Sequence, residues 1–138
     1  MTANSKTRRL FLQRGFTLIE LMVVMAIVSV LIAISVPIYQ KSILRAKESV
    51  LRSNLASIRN MIDEYTVDKQ KAPDSLQDLV TEGYLRQIPQ DPMTGQSDTW
   101  KIIMEETPIG GTNSSPGIYD VRSGSDKKSL DGTSYSDW

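Results

Sequence analysis

The chain has 138 residues, of which 40% are hydrophobic, and its 16 basic side chains balance 16 acidic ones. It contains no histidine and no cysteine, which excludes the usual general base, catalytic thiols and disulfide bonds. Nothing in this charge balance indicates a nucleic-acid surface, and the length suits one small domain plus a membrane helix.

Residues 1–15, MTANSKTRRLFLQRG, form a polar, basic leader without acidic residues; its basic side chains are Lys6, Arg8, Arg9 and Arg14. The remaining residues carry 12 basic and 16 acidic side chains, a net charge of −4. Because basic residues beside a membrane segment stay in the cytoplasm, we expect the leader on the cytoplasmic side and the rest of the chain to be exported.

The stretch from Gly15 to Pro37 is apolar and is interrupted only by Thr17, Glu20, Ser29 and Ser35. About 20 such residues, each rising ~1.5 Å in a helix, cross a bilayer. We predict a transmembrane helix at residues 16–38, loosened or kinked between residues 35 and 38 by the proline. A secretory signal fits poorly because no small-residue cleavage site follows the run, and an uncleaved signal anchor is the alternative.

The sequence GFTLIE at residues 15–20, followed by the apolar run and Pro37, resembles the class III signal of type IV pilins and type II secretion pseudopilins. The resemblance implies that a prepilin peptidase cleaves between Gly15 and Phe16 and methylates the new amino group of Phe16. It also implies a pilin-like fold, in which a long N-terminal helix packs on a small head.

Glu20 is the one acid within the apolar stretch. A lone carboxylate in hydrocarbon is costly, so we expect it to have a partner. In a filament, the freed ammonium of Phe16 on a neighbouring subunit would supply that partner and fix the axial register. The alternative is a carboxylate that lies at the level of the lipid headgroups.

Residues 39–70 are amphipathic. Their apolar side chains recur at steps of three and four, which predicts a helix with one face on a globular domain. The main positions on this face are Leu44, Leu51, Leu55, Ile58, Ile62 and Tyr65. With the membrane half, this segment forms one long helix.

Residues 71–138 form the predicted head. A short helix follows Pro73, capped by Asp74 or Ser75 and ended by Gly83. Two strands are predicted, at residues 99–105 and 117–123, joined by a loop at residues 108–116. The predicted fold class is therefore α+β, with a small antiparallel sheet packed against the long helix.

Within the family, the head resembles the major, G-type pseudopilin more than an adhesive pilin. Residues 85–92, LRQIPQDP, are similar to the family's Leu-Pro-x-Asp-Pro turn, although Met93-Thr94-Gly95 stands where many members have Trp-Gly. The absence of cysteine also removes the disulfide-closed loop that type IV pilins commonly have.

The C-terminal segment, GSDKKSLDGTSYSDW, is dense in oxygen-bearing side chains, which Ca²⁺ prefers. Major pseudopilins hold calcium in the corresponding loop, and the resemblance implies Asp126 and Asp131 as side-chain ligands, with the Ser123 carbonyl and Ser134 as further candidates. Tyr135 and Trp138 would fix the loop on the head. The alternative is a solvated acidic tail.

The resemblance implies a structural subunit that polymerises into a periplasmic pseudopilus driving protein export by type II secretion. Its partners would be further copies, the prepilin peptidase, the inner-membrane assembly platform and minor pseudopilins. The chain would sit in the inner membrane with its head in the periplasm. The alternatives are a type IV pilin of an extracellular fibre and a membrane-anchored, calcium-binding module that does not polymerise. No nucleophile–base pair or phosphate-binding loop indicates an enzyme.

Overall fold

The computed structural model describes residues 15–109, 111 and 115–138, so most of the predicted leader and the middle of the 108–116 loop lie outside the described residues. In chain order the elements are α1 (Leu18–Lys69), α2 (Leu76–Thr81), β1 (Lys101–Met104), β2 (Ile118–Arg122) and a short 3-10 helix (Tyr135–Asp137). This confirms the predicted α+β class. The described residues separate into two compact units, which divide between Tyr39 and Gln40.

The first unit carries the apolar half of α1. An 18-residue window of this helix has a mean hydropathy of 2.8 and no buried residue, and in the described part of the chain α1 alone is long and apolar enough to cross a membrane. The hydroxyls of Ser29 and Ser35 donate to the carbonyls of Met25 and Leu31, at 2.7 and 2.8 Å, so they need no outside partner. The helix continues through Pro37, and a kink there stays a prediction.

The second unit packs around the other half of α1. The buried residues of this helix are Leu51, Leu55, Ile58, Ile62 and Tyr65, which are five of the six positions predicted for its packed face. They join a core that also contains Leu76, Leu79, Trp100, Ile118, Val121 and Tyr135. The three- and four-residue spacing thus puts one stripe of α1 against α2, the sheet and the C-terminal segment.

The chain turns sharply after α1. Gln70 adopts a left-handed conformation, with φ of 55°, and its side-chain amide donates to the Val67 carbonyl at 2.7 Å. Helices usually place glycine at this position, and the end of the helix nevertheless agrees with the predicted boundary at residue 70. Of the two predicted cap residues, Ser75 lies at the N-cap position of α2, and the Asp78 carboxylate accepts its N–H at 2.8 Å. Gly83 follows the helix with φ of 86°.

The two strands form an antiparallel pair in which Lys101 faces Arg122 and Met104 faces Ile118, with an irregularity between Ile103 and Met104. Both strands are shorter than predicted. At one end Gly117 lies so close to Ala72 that a Cβ on it would be 2.6 Å from the alanine Cβ. Just beyond the strands the Glu105 N–H still donates to the Gly117 carbonyl at 2.9 Å, so the pairing continues to the point where Gly117 packs against Ala72.

The packed stripe generates a stability prediction. Ile58 is fully buried, so Ile58→Ala should lower the free energy of unfolding by about 2 to 5 kcal/mol through lost burial and the cavity left behind. Thermal unfolding of the detergent-solubilised chain, followed by circular dichroism, would measure the loss. Val67→Ala is the matched control on the same helix, because Val67 is 69% exposed, and equal losses in the two variants would contradict this assignment of the core.

Candidate functional site

The predicted cleavage junction lies just before α1. Gly15, Phe16 and Thr17 precede the first helical residue, and the Phe16 side chain is 79% exposed. A Cβ at Gly15 would meet nothing within 4 Å. The junction between Gly15 and Phe16 is therefore non-helical, accessible backbone, as a peptidase substrate must be.

Thr17 begins the helix through a side-chain cap. Its hydroxyl accepts the N–H of Glu20 at 3.2 Å, and its carbonyl accepts the N–H of Leu21 at 3.1 Å. Glu20 thus lies in the first turn, where a carboxylate interacts favourably with the positive end of the helix dipole. This role of Thr17 was not predicted, although the spacing Thr-x-x-Glu is a recognised start signal of helices.

The structure brings two of the four predicted calcium ligands together. The Ser134 hydroxyl lies 3.5 Å from the Asp126 carbonyl and 2.8 Å from the Ser136 hydroxyl. The exposed Asp126 carboxylate accepts a hydrogen bond from Lys101 Nζ at 2.8 Å. This ammonium, together with the Ser136 hydroxyl, lowers the pKa of Asp126.

Asp131 belongs to a separate cluster. Its carboxylate accepts hydrogen bonds from the hydroxyl of Ser129 and, at 2.7 Å, from that of Thr133. These hydroxyls and the Thr133 N–H lower the pKa of Asp131 to about 2. The carboxylate is therefore charged at neutral pH and holds a tight turn.

Ser123 lies beneath the surface and faces Asp91, which is fully buried. The Asp91 carboxylate accepts hydrogen bonds from the Ser123 hydroxyl at 2.6 Å and from the N–H groups of Gly124 and Met93, at 3.0 and 2.8 Å. A buried carboxylate is tolerated when donors surround it in this way. Asp91, in the turn that resembles the family motif, thus ties that turn to the start of the C-terminal segment. This contact was not predicted.

Asp126, Ser134 and Ser136 bring together hard oxygen atoms, the ligand type that Ca²⁺ prefers, and the Asp126 carboxylate among them pairs with the Lys101 ammonium. No hydrogen bond among the described residues joins Asp131 or Ser123 to this cluster. Nor do three Asp, Glu, His or Cys side chains come together as a metal-binding group within residues 15–109, 111 and 115–138. A calcium site here would draw mainly on hydroxyl and carbonyl oxygens around one carboxylate.

Three side chains of α1 hold the C-terminal segment, residues 123–138. Glu48 Oε1 accepts the N–H of Leu130 at 2.9 Å and the hydroxyl of Tyr135 at 2.7 Å. The Arg52 guanidinium lies 4.3 Å from the centre of the Trp138 ring, a cation–π contact.

Arg59 is the third. Its guanidinium binds Asp120 at 2.7 Å and the main-chain oxygens of Val121 and Trp138 at 2.9 and 2.8 Å. The rings of Tyr135 and Trp138 pack edge to face, with centroids 5.1 Å apart. The aromatic residues therefore fix the segment on the head as predicted, but their polar partners on α1 were not predicted.

The Glu48–Tyr135 contact generates a pH prediction. Burial and then Glu48 raise the pKa of Tyr135 from 10.0 to about 12, so the fold holds the neutral phenol. This contribution to stability is complete below pH 10 and is lost as the pH rises toward 12. Tyr135→Phe should lower the free energy of unfolding at pH 7 by about 1 to 2 kcal/mol and flatten the decline in melting temperature between pH 9 and 12.

Tyr119→Phe is the matched control, because Tyr119 is 70% exposed, and it should melt like the parent chain at each pH. A Tyr135→Phe variant with the parent's alkaline profile would show that Glu48 does not hold the segment through this phenol.

Comparison with known proteins agrees with these features. The family model of the prokaryotic N-terminal methylation motif matches residues 10–36. No solved structure matches the chain significantly.

Two kinds of relative match the chain. The type II secretion system core protein G of Klebsiella michiganensis is 32% identical over 99 residues, which cover 60% of this chain and 70% of that protein. The core protein G of Pectobacterium carotovorum is 33% identical over 105 residues, covering 64% and 67%. The type IV major fimbrial protein FimA of Dichelobacter nodosus is 46% identical over 61 residues, covering 44% of this chain.

The match spans only 38% of the length of that fimbrial protein, whereas it spans two thirds or more of both core proteins G. The signal at the start of α1, the long helix on a small sheet and these relatives agree: the chain belongs to the family of type IV pilins and type II secretion pseudopilins.

Proposed function

We propose that this chain is the structural subunit of a periplasmic pseudopilus, which grows from the inner membrane and drives protein export by type II secretion. The observation that carries the proposal is the apolar half of α1. Its large side chains between Phe16 and Ile43 are 41 to 79% exposed, so they need either lipid or other copies of the same helix around them. A filament built on such helices satisfies that need after the subunit leaves the bilayer.

The start of α1 supports a specific assembly contact. Cleavage after Gly15 would place the Phe16 ammonium just before a helix N-terminus, where the positive end of the dipole disfavours a cation. The carboxylate of Glu20 on a neighbouring subunit would neutralise it, and only one axial offset brings the two groups together. Each charge is costly alone in apolar surroundings, and the pair is tolerated.

The matched lengths favour the pseudopilin over the type IV pilin. The alignments with core proteins G extend over 99 and 105 residues, against 61 for the fimbrial protein. In this role the partners are further copies, the prepilin peptidase, the assembly platform and minor pseudopilins. In this proposal the described groups would serve assembly and packing, and we propose no catalytic role for them.

We also propose that calcium binds the C-terminal segment as a structural ion. The Asp126 carboxylate with the hydroxyls of Ser134 and Ser136 would form its centre, and the Ser123 carbonyl and Asp131 are the further candidate ligands. The ion would supply only electrostatic stabilisation of the loop, in competition with Lys101 for the Asp126 carboxylate.

The assembly contact is tested with Glu20→Ala. We expect this variant to be inserted and cleaved like the parent, because the junction and the apolar helix are unchanged, but to form at most a small fraction of the parent's filaments. Electron microscopy of sheared cells and immunoblots of precursor and mature chain measure both steps. Ser29→Ala is the control, since its hydroxyl is satisfied within the helix, and normal assembly of Glu20→Ala would rule out the pairing.

The calcium proposal is tested by thermal unfolding of the solubilised chain in millimolar calcium and in chelator. At ~100 times its dissociation constant, the ion should add about 2.7 kcal/mol to the free energy of unfolding, a shift of several degrees. Asp126→Asn should abolish the shift. Asp74→Asn should keep it, because that exposed carboxylate pairs with Lys71 elsewhere on the head. Identical melting with and without calcium would reject the ion.

A further inference from the structure

The outer edge of the sheet carries an apolar cleft with an acidic rim. It has a volume of about 510 Å³ and is lined by Ile103, Met104, Glu105, Glu106, Thr107, Ile109 and Tyr119. Tyr119 is 70% exposed and Ile109 58%, so the apolar lining faces solvent. We call this feature the acidic cleft.

The C-terminal segment contains an exposed stretch whose positive charge is opposite to that of the acidic cleft. Residues 127–130, Lys-Lys-Ser-Leu, expose both lysines and a leucine that is 43% exposed. The neighbouring Asp126 is already paired with Lys101. We call residues 127–130 the lysine loop. None of the four ion pairs among the described residues involves this loop or the two glutamates of the acidic cleft.

The acidic cleft and the lysine loop lie at opposite ends of the head. The lysine loop is held at Glu48 through the N–H of Leu130. The acidic cleft adjoins the start of β2, where the N–H of Ile118 donates to the Pro73 carbonyl at 2.7 Å, beyond the end of α1 at Lys69. Asp120, the residue after Tyr119 of the cleft, binds Arg59 of α1, and from residue 48 to residue 59 a helix rises roughly 17 Å. Among the described residues no ion pair joins the two features within one head, whereas two copies could bring them together.

We propose that the lysine loop of one subunit binds in the acidic cleft of the next, with Leu130 against Tyr119 and Met104 and with the lysines against Glu105 and Glu106. Because two different surfaces meet, the contact is heterologous: each subunit binds one neighbour through its lysine loop and another through its acidic cleft. Contacts of this kind generate open helical polymers unless the rotation closes a ring. The inference rests on the proposed polymerisation and names its head-to-head contact.

The contact is too small to hold two heads together in solution. A leucine and two exposed ion pairs bury far less surface than a stable protein interface needs, and each exposed pair is weak. Once the helices of two subunits are packed in a filament, however, the heads are held at a high effective concentration, and a weak contact then forms. It would therefore select the subunit offset rather than drive assembly.

Cysteine cross-linking of the full-length chain in cells tests the contact, since the chain has no native cysteine. Thr107→Cys and Leu130→Cys place one thiol in each feature. With both present, oxidation should yield a ladder of dimers, trimers and longer multimers, because every subunit can be linked on two sides. Either single variant should give dimers at most. Val67→Cys with Leu130→Cys is the control pair, because Val67 is exposed but lies outside the acidic cleft.

Charge reversal in the Thr107→Cys, Leu130→Cys chain tests the ion pairs, at constant calcium concentration. Lys128→Glu or Glu106→Lys alone should lower the yield of the ladder roughly two- to fivefold, as expected for exposed pairs. Combining the two reversals should restore it. A merely local effect on folding would add in the combined variant instead of cancelling.

The possible outcomes distinguish a failure of the head-to-head contact from a failure of the proposed function. Filaments that form normally but give no ladder above the Val67 control would overturn the contact and leave the pseudopilus proposal standing. A ladder that neither reversal lowers, or that the combined reversal does not restore, would also overturn it. If the parent chain forms no filaments at all, the proposed polymerisation is wrong and the contact with it.

Discussion

The rest of the molecule depends on one constraint, the exposed apolar half of α1. A helix whose large side chains all face outward cannot remain in water, so it must lie in lipid or among copies of itself. The same constraint governs its polar residues: the serine hydroxyls are satisfied within the helix, whereas no basic residue lies in residues 16–38 to pair with Glu20. Membrane insertion and filament packing are thus alternative solutions to one problem of solvation.

The head solves a different problem, the stability of a small domain without disulfides. Its two-stranded sheet is marginal by itself and gains its stability from the packed face of α1. The C-terminal segment is held by a carboxylate, a cation–π contact and a guanidinium that binds two main-chain oxygens. Each contact joins residues far apart in sequence, so together they restrict the chain much as a cross-link would.

The periodic features were predictable from the sequence, whereas the polar contacts were not. The apolar spacing identified α1 and its buried face, and the Pro and Gly positions identified α2 and its end. By contrast, Asp91 looks like an ordinary turn residue, and its burial beneath Ser123 arises only when two segments 32 residues apart meet. Gln70 likewise occupies a left-handed position that its residue type does not indicate. Such contacts depend on tertiary position, which local pattern does not encode.

The apolar half of α1 does not by itself fix the axial offset between neighbouring subunits. Apolar side chains pack against one another at many offsets, because burial is proportional to area and has no direction. A filament with one register therefore needs directional contacts, and in the proposed pseudopilus charges would supply them: Glu20 within the apolar layer, and the acidic cleft and lysine loop outside it. Charge pairs of this kind add little to the free energy of association, but a wrong offset leaves them unpaired or juxtaposes like charges. In the proposed filament, a few weak polar contacts would set the register, while the large apolar surface would supply the association itself.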